Sequence, residues 1–370
     1  MGVNTLKKDF ESNNNCQTIH YDSLDGLRTI SCLGIILMHI QANTNYQLEG
    51  GFLFDKFIPS LTWLVYLFLM ISGFGMCVGY LEKFKTGEVD LEKFYKKRYM
   101  KSVPFLASLL IIALIMEPNR STFYEASIEV LLLHGLLPNN AVSVIGVCWT
   151  LGVIFLFYLL FPAFSVLMKN KKRAWSSLLI SLWVVYVCES YFFSDYFVAN
   201  SFTPRHNFLY CLPMFIVGGI VYLYREKIKN ICQSYKHIVL ALNFFVSVVW
   251  YLIPVRKGII FYLSTVGLYS LWLSYAVGGT SAILSRKPLR FFAKISMEMY
   301  LAQMVIFRAV EKLNMIYVFG NSGVGGTISF ILTFILTIIG LLIYVYCYKC
   351  LIYFLNKRKE NLFGEERIKH

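Results

Sequence analysis

Ten apolar runs, each bounded by charged or turn-forming residues, decide what this chain can become. They are Leu24 to Ala42, Ser60 to Leu81, Ser102 to Met116, Val142 to Met168, Ser176 to Phe193, Asn207 to Tyr224, His237 to Ile253, Ile259 to Leu284, Phe291 to Val310 and Thr327 to Leu355. A helix crossing a bilayer core about 30 Å thick needs roughly 20 such residues. The fold class expected is therefore all-α, a polytopic integral membrane protein of about ten transmembrane helices. The composition agrees: 57% hydrophobic and 15% charged residues, with a mean hydropathy of +0.58, describe neither a soluble domain nor a disordered chain. With 370 residues, little length is left for a soluble domain. The expected division is a polar tail at 1–23, a membrane domain at 24–355 and a basic tail at 356–370. Ala126 to Leu137 is apolar but too short to cross, and is expected to lie in the interface or re-enter. The first apolar run starts late and lacks a small-residue cleavage site, so an uncleaved signal anchor is expected.

The net charge of +14 would suggest nucleic acid in a soluble protein; in a membrane protein it reports orientation. With ten crossings and the N-terminus inside, 28 of the 35 Lys and Arg fall on the cytoplasmic side and 7 on the outer side. That bias follows the positive-inside rule and predicts both termini in the cytoplasm. No nucleic-acid partner is expected; membrane lipid is.

Nine cysteines are scattered without a metal or disulfide framework. Cys347 and Cys350 have CxxC spacing but lie in an apolar run, where they read as small helix residues, so no metal site is expected. Pro162 and Pro213 fall inside runs and should bend or open their helices. No repeat relates the two halves, which weighs against inverted-repeat transporters.

Ionisable residues inside membrane helices are rare and usually functional. The first run carries the clearest pair, Arg28 and His39. Eleven residues at 100° each come to about 20° past three turns, so the two share a face, roughly 16 Å apart along the axis. One reading makes Arg28 a positive-inside anchor and His39 a hydrogen-bonded helix contact. The other holds an anionic cytosolic cosubstrate at Arg28 with its reactive end at His39, where a neutral imidazole can accept a proton.

The run Leu24-Asp25-Gly26-Leu27-Arg28 followed by His39 resembles the opening motif of acyltransferase family three, integral membrane proteins that acylate cell-surface polysaccharides and other exported glycans. Phe68 to Phe74, with Ser72-Gly73-Phe74, resembles its second block. Phe94 to Pro104 is similar to its basic F-x-x-R-R-x-x-R-x-x-P motif, with Lys97 and Lys101 in place of arginine. Trp149-Thr150-Leu151 with Phe157 to Pro162 resembles a fourth block, Pro213 to Tyr222 a fifth, and Ile295-Ser296 with Tyr300-Leu301 a sixth. The blocks occur in family order over about residues 21 to 355. Two positions depart: Ile154 stands where the family often has an acid, and Gln303 where a histidine often follows Tyr-Leu. Gln303 can hydrogen-bond but cannot act as a base.

The resemblance implies an O-acetyltransferase of a bacterial plasma membrane, using acetyl-CoA as cosubstrate and a cell-surface or lipid-linked glycan as acceptor. It makes His39 essential and has Arg28 help hold the acyl-coenzyme A. In the mechanism expected, His39 acts as general base on a sugar hydroxyl; a covalent acyl-histidine is the alternative. Lys97, Arg98 and Lys101 are candidates for the coenzyme A phosphates, with Lys97 and Lys101 one turn apart; as a bland reading they anchor the helix on anionic lipid. Asp25 could pair with Arg28 at i,i+3 or orient a catalytic group, and Trp149 and Tyr158 read first as packing residues. A glycan flippase or polymerase, or a small-solute transporter, is the rival function. Such a protein would not depend on acyl-coenzyme A.

Overall fold

A computed structural model of the chain describes residues 20–46, 48, 51–136, 144–198, 202–253 and 258–368, with side chains up to residue 358. The polar tail up to residue 19, the loop cations Arg256 and Lys257, and the side chains of Lys359, Arg367 and Lys369 lie outside the described residues. The described residues are helical throughout, with no β-strand among them.

Each of the ten apolar runs lies largely on helix among the described residues, with Val142 of the fourth run outside them. Six helices are long and apolar enough to cross a membrane: α1 (Asp22–Ala42), α2 (Leu53–Thr86), α3 (Leu91–Met116), and further along the chain Lys171–Phe192, Gly258–Val277 and Gly323–Arg358. The fourth run forms two helices, α5 (Cys148–Leu159) and α6 (Phe161–Leu167), bent by 66°. The sixth forms α8 (Phe208–Leu223) and continues into α9 (Arg225–Ser234) across a 71° bend. With each bent pair as one span the count reaches 8. The seventh and ninth runs are shorter helices of 17 residues, α10 (Lys236–Leu252) and α13 (Ser296–Lys312). The remaining elements are α4 (Arg120–Val130), α7 (Lys171–Phe192), α11 (Gly258–Val277), α12 (Lys287–Ala293) and α14 (Gly323–Ile368). Cys347 and Cys350 lie on α14.

Proline explains one bend and not the other. Pro162 opens α6, where its missing N–H costs nothing and its ring ends the preceding helix. Pro213 lies inside α8, which stays helical through it, and the 71° bend comes after Leu223. In the same turn the Tyr262 hydroxyl donates to the Tyr210 carbonyl (2.6 Å), tying α8 to α11. The short apolar stretch from Ala126 is the end of α4, an 11-residue helix, followed by a turn at His134–Leu136. It is too short for a span.

The centre of the bundle is α2 against α8. A Cβ on Gly73 would collide with the Phe215 carbonyl oxygen, and one on Gly218 with that of Met70. The two backbones therefore touch, which only small residues allow. Phe157 stacks on Phe215 at 4.0 Å and 12° and extends this core to α5.

α1 and α13 lie side by side and run in the same direction. At the middle of α1 and the start of α13 the Cys32 thiol donates to the Ser296 carbonyl (3.3 Å). Beyond their ends the Asn45 N–H donates to the Tyr317 hydroxyl (2.8 Å), and the Tyr46 hydroxyl to the Ile316 carbonyl. The first turns of α1 are pinned by Ser23 to Ser285 (2.9 Å), Thr29 to the Leu289 carbonyl (2.6 Å) and the Asp22–Arg290 ion pair (3.0 Å). Arg28 thus belongs to one end of the bundle, and His39 to the half facing the other.

Candidate active site

At the Arg28 end a cavity of about 160 Å³ opens between α1, α2, α3, α5 and α13. Arg28 and Lys101 line it, with Lys294 and Glu298 beside them and Tyr158 and Tyr300 further in. Phe68 and Ser72 of the second block and Thr150 of the fourth complete the wall. The cavity therefore gathers five of the six sequence blocks. The fifth contributes from behind, since its Phe215 and Gly218 set the α2–α8 approach.

Two blocks are joined directly. The Thr150 hydroxyl and the Tyr300 hydroxyl hydrogen-bond at 2.7 Å in a buried position, and the Phe68 ring meets that of Tyr300 edge-on at 5.9 Å. Ile154, at the position where an acid is common, lines the same cavity as plain apolar wall. Gln303, one turn beyond Tyr300, is 1% exposed. Its amide donates to the Tyr300 carbonyl (2.9 Å) while Oε1 has no hydrogen-bond partner among the described residues.

The basic motif on α3 does not act as one unit. Lys101 reaches the cavity, whereas Lys97 is exposed and outside its lining. Arg98 takes a third position. Its guanidinium lies over Tyr80 (4.7 Å), Tyr158 (5.2 Å) and Phe94 (5.7 Å), and its Nε has no hydrogen-bond partner among the described residues. Three electron-rich ring faces hold the cation in place of a carboxylate, which leaves its N–H groups for another acceptor. Asp25 pairs with Arg28 (3.6 Å) and with His20 (2.9 Å). That leash holds the arginine head at the helix start.

His39 is half-buried, and its imidazole makes no hydrogen bond or ion pair among the described residues. Cys32 and Ser296 are in contact on parallel helices, so seven residues further on, about 10.5 Å along each axis, His39 and Gln303 come at one depth. The sequence reading passed over Arg205. Arg205 donates from Nη1 to Thr62 Oγ1 (2.7 Å) and sits 5.9 Å from the Trp149 ring. Trp149 stacks on His206 at 4.5 Å and 23°. Burial, then Arg205, then His134 push the His206 imidazole down to about 4, so it is neutral against the indole at physiological pH. The only sequence signal for this group was Arg205-His206 in a loop that the charge sorting assigned to the sparsely charged side.

α5 owes its placement to another buried group. Glu129 on α4 is 0% exposed and accepts from the Ile145 N–H at 3.0 Å, holding the segment that leads into Trp149-Thr150. Desolvation pushes this carboxyl up to about 8, against the lowering effect of the backbone N–H groups of Ile145 and Val144. His134, also buried, packs against Gly152 on α5, where a Cβ would meet its ring at 2.6 Å.

The sequence model of the acyltransferase domain family matches residues 21–348. Among curated proteins the chain is similar to the O-acetyltransferase OatA of Staphylococcus aureus, in strains NCTC 8325 and COL alike, with 28% identity over 172 residues. The matched stretch is 42% of this chain and 26% of the relative, so the chain spans about a quarter of the length of the curated relatives it matches. No solved structure matches the chain.

Proposed function

The chain belongs to the acyltransferase domain family, and from that membership we propose that it is a membrane O-acetyltransferase, moving an acetyl group from cytosolic acetyl-CoA to a hydroxyl of an exported or surface glycan. Both termini face the cytosol in this reading, as the loop charges suggest, and the protein resides in the cell membrane. One observation carries it. Arg28 and Lys101 converge on a cavity walled by five sequence blocks at one end of α1, and His39 lies on the same helix face toward the opposite end.

The donor chemistry suits that layout. Coenzyme A is anionic and cytosolic, so its phosphates would meet Arg28 and Lys101, with Lys294 and the N–H groups of Arg98 close by; charge-assisted contacts of this kind are the strong ones. The acetyl thioester would extend past Tyr158 and the Thr150–Tyr300 pair toward His39. The hydroxyl comes from the other side. His39 takes its proton as the oxygen attacks the thioester carbonyl, the carbon–sulfur bond breaks, and the proton passes to the departing coenzyme A sulfur. The product is an acetyl ester and a free thiol. The half-buried imidazole, with no competing hydrogen bond among the described residues, is free for that role. A flippase or transporter needs no acyl-donor cavity, and family membership favours acyl transfer over both.

Binding of acetyl-CoA to the detergent-solubilised full chain tests the donor half. Arg28→Ala and Lys101→Ala are each expected to weaken it about tenfold, the loss of one charge-assisted contact, while Lys97→Ala leaves it within a factor of two. Unchanged affinity in both cavity variants would return these cations to a lipid-anchoring role.

A further inference from the structure

A second cavity, of about 350 Å³, opens at the His39 end of the bundle and is lined by Trp63, Tyr66, Glu189, Arg205, Tyr210 and Tyr262. We propose that it seats one sugar ring of the acceptor glycan, a proposal that rests on the acyl-transfer reading above. Its volume lies within the range of small-ligand sites.

The argument starts from polar atoms with nothing to bind. Glu189 Oε1 accepts from the Tyr210 hydroxyl (3.0 Å), but Oε2, although buried, has no hydrogen-bond partner among the described residues. Arg205 uses Nη1 on Thr62, and its buried Nε is left over in the same way. Leaving such a group unpaired costs about 1–3 kcal/mol. Two around one cavity call for a ligand that completes them.

The two differ in what they need. Arg205 Nε can only donate, and Glu189 Oε2 accepts. An anion would satisfy Arg205 and face Glu189; a cation would do the reverse. A neutral polyol, whose every hydroxyl both donates and accepts, satisfies both without leaving an uncompensated charge. The aromatic walls narrow the class further. Trp63 and Tyr66 lie 5.5 Å apart and Tyr210 and Tyr262 4.8 Å apart, so the cavity offers flat apolar faces between its polar atoms, the complement of a sugar ring with C–H faces and a hydroxyl rim. Arg205 links this seat to the fourth sequence block, because its guanidinium also sits 5.9 Å from the Trp149 ring.

The test is a steady-state comparison of the full chain in detergent, with acetyl-CoA as donor. The acceptor probe is deacetylated oligosaccharide released from the surface polysaccharide of the strain that carries the protein. Glu189→Gln and Trp63→Ala are expected to raise the acceptor KM about tenfold each while the acetyl-CoA KM stays within a factor of two. Trp63→Phe, which keeps a ring, should restore most of the acceptor affinity and guards against a misfolded Trp63→Ala. Unchanged acceptor KM in both variants, with wild-type transfer intact, overturns the sugar seat and leaves the acyl-transfer reading standing. Absence of transfer by the wild type itself overturns both.

Discussion

Single residues in this molecule are governed by what burial removes from them. Glu129 has no cation beside it among the described residues, and its carboxyl is pushed up to about 8. Because the folded state holds a proton there that the unfolded chain releases near 4.5, native Glu129 binds more protons than unfolded Glu129 between about pH 4.5 and 8. Its contribution to stability therefore declines as pH rises through that window, by at most about 1.4 kcal/mol per pH unit. Glu129→Gln keeps the amide contact to Ile145 without the titration. The melting-temperature gap between Glu129→Gln and wild type in detergent should widen in favour of the variant from pH 5 to pH 8. A constant gap would show that Glu129 is ionised in the fold. Some of this scale was legible in the sequence and some was not. The Arg28–His39 face follows from helix geometry alone, since eleven residues return a side chain to its starting direction. The Thr150–Tyr300 bond joins residues 150 positions apart, and no local pattern encodes it. Arg98 was read as an equal partner of Lys97 and Lys101, because spacing does not reveal that three rings enclose only one of the three cations.

Elements were the most legible scale, because lipid leaves the backbone few choices. Among the described residues every apolar run lies largely on helix, and the helix that holds Ala126 has 11 residues, too few to cross. The 71° bend at the charged stretch from Arg225 is one the prolines did not announce. The α2–α8 contact gives a sharp expectation. Gly218→Val places side-chain carbon against the Met70 carbonyl and should cost about 1–3 kcal/mol, read as a lower melting temperature and less folded protein. Gly75→Ala, on the same α2 but with nothing within 4 Å of its added Cβ, should be neutral or slightly stabilising, since alanine outranks glycine in a helix. Equal effects at the two sites would mean that α2 and α8 do not approach this closely.

At the scale of the whole molecule the charge that might have pointed to nucleic acid is spent on direction. In the proposed orientation, the Arg28 end gathers the cations that an anionic donor requires. The His39 end carries the half-buried Arg205, a histidine stacked on tryptophan and an aromatic cavity, which under the proposed function would handle a neutral acceptor. Five of the six sequence blocks meet at one cavity beside α1; under the proposed function that cavity takes the donor, and the chain's central task would be to bring a thioester and a hydroxyl from opposite sides to one imidazole. The acetyl content of the host's surface polysaccharide, measured by NMR in wild type, deletion and His39→Ala strains at equal membrane abundance, tests this most directly. The account predicts that His39→Ala matches the deletion, with acetyl signals lost from the glycan. Wild-type acetylation in a well-expressed His39→Ala strain would contradict it.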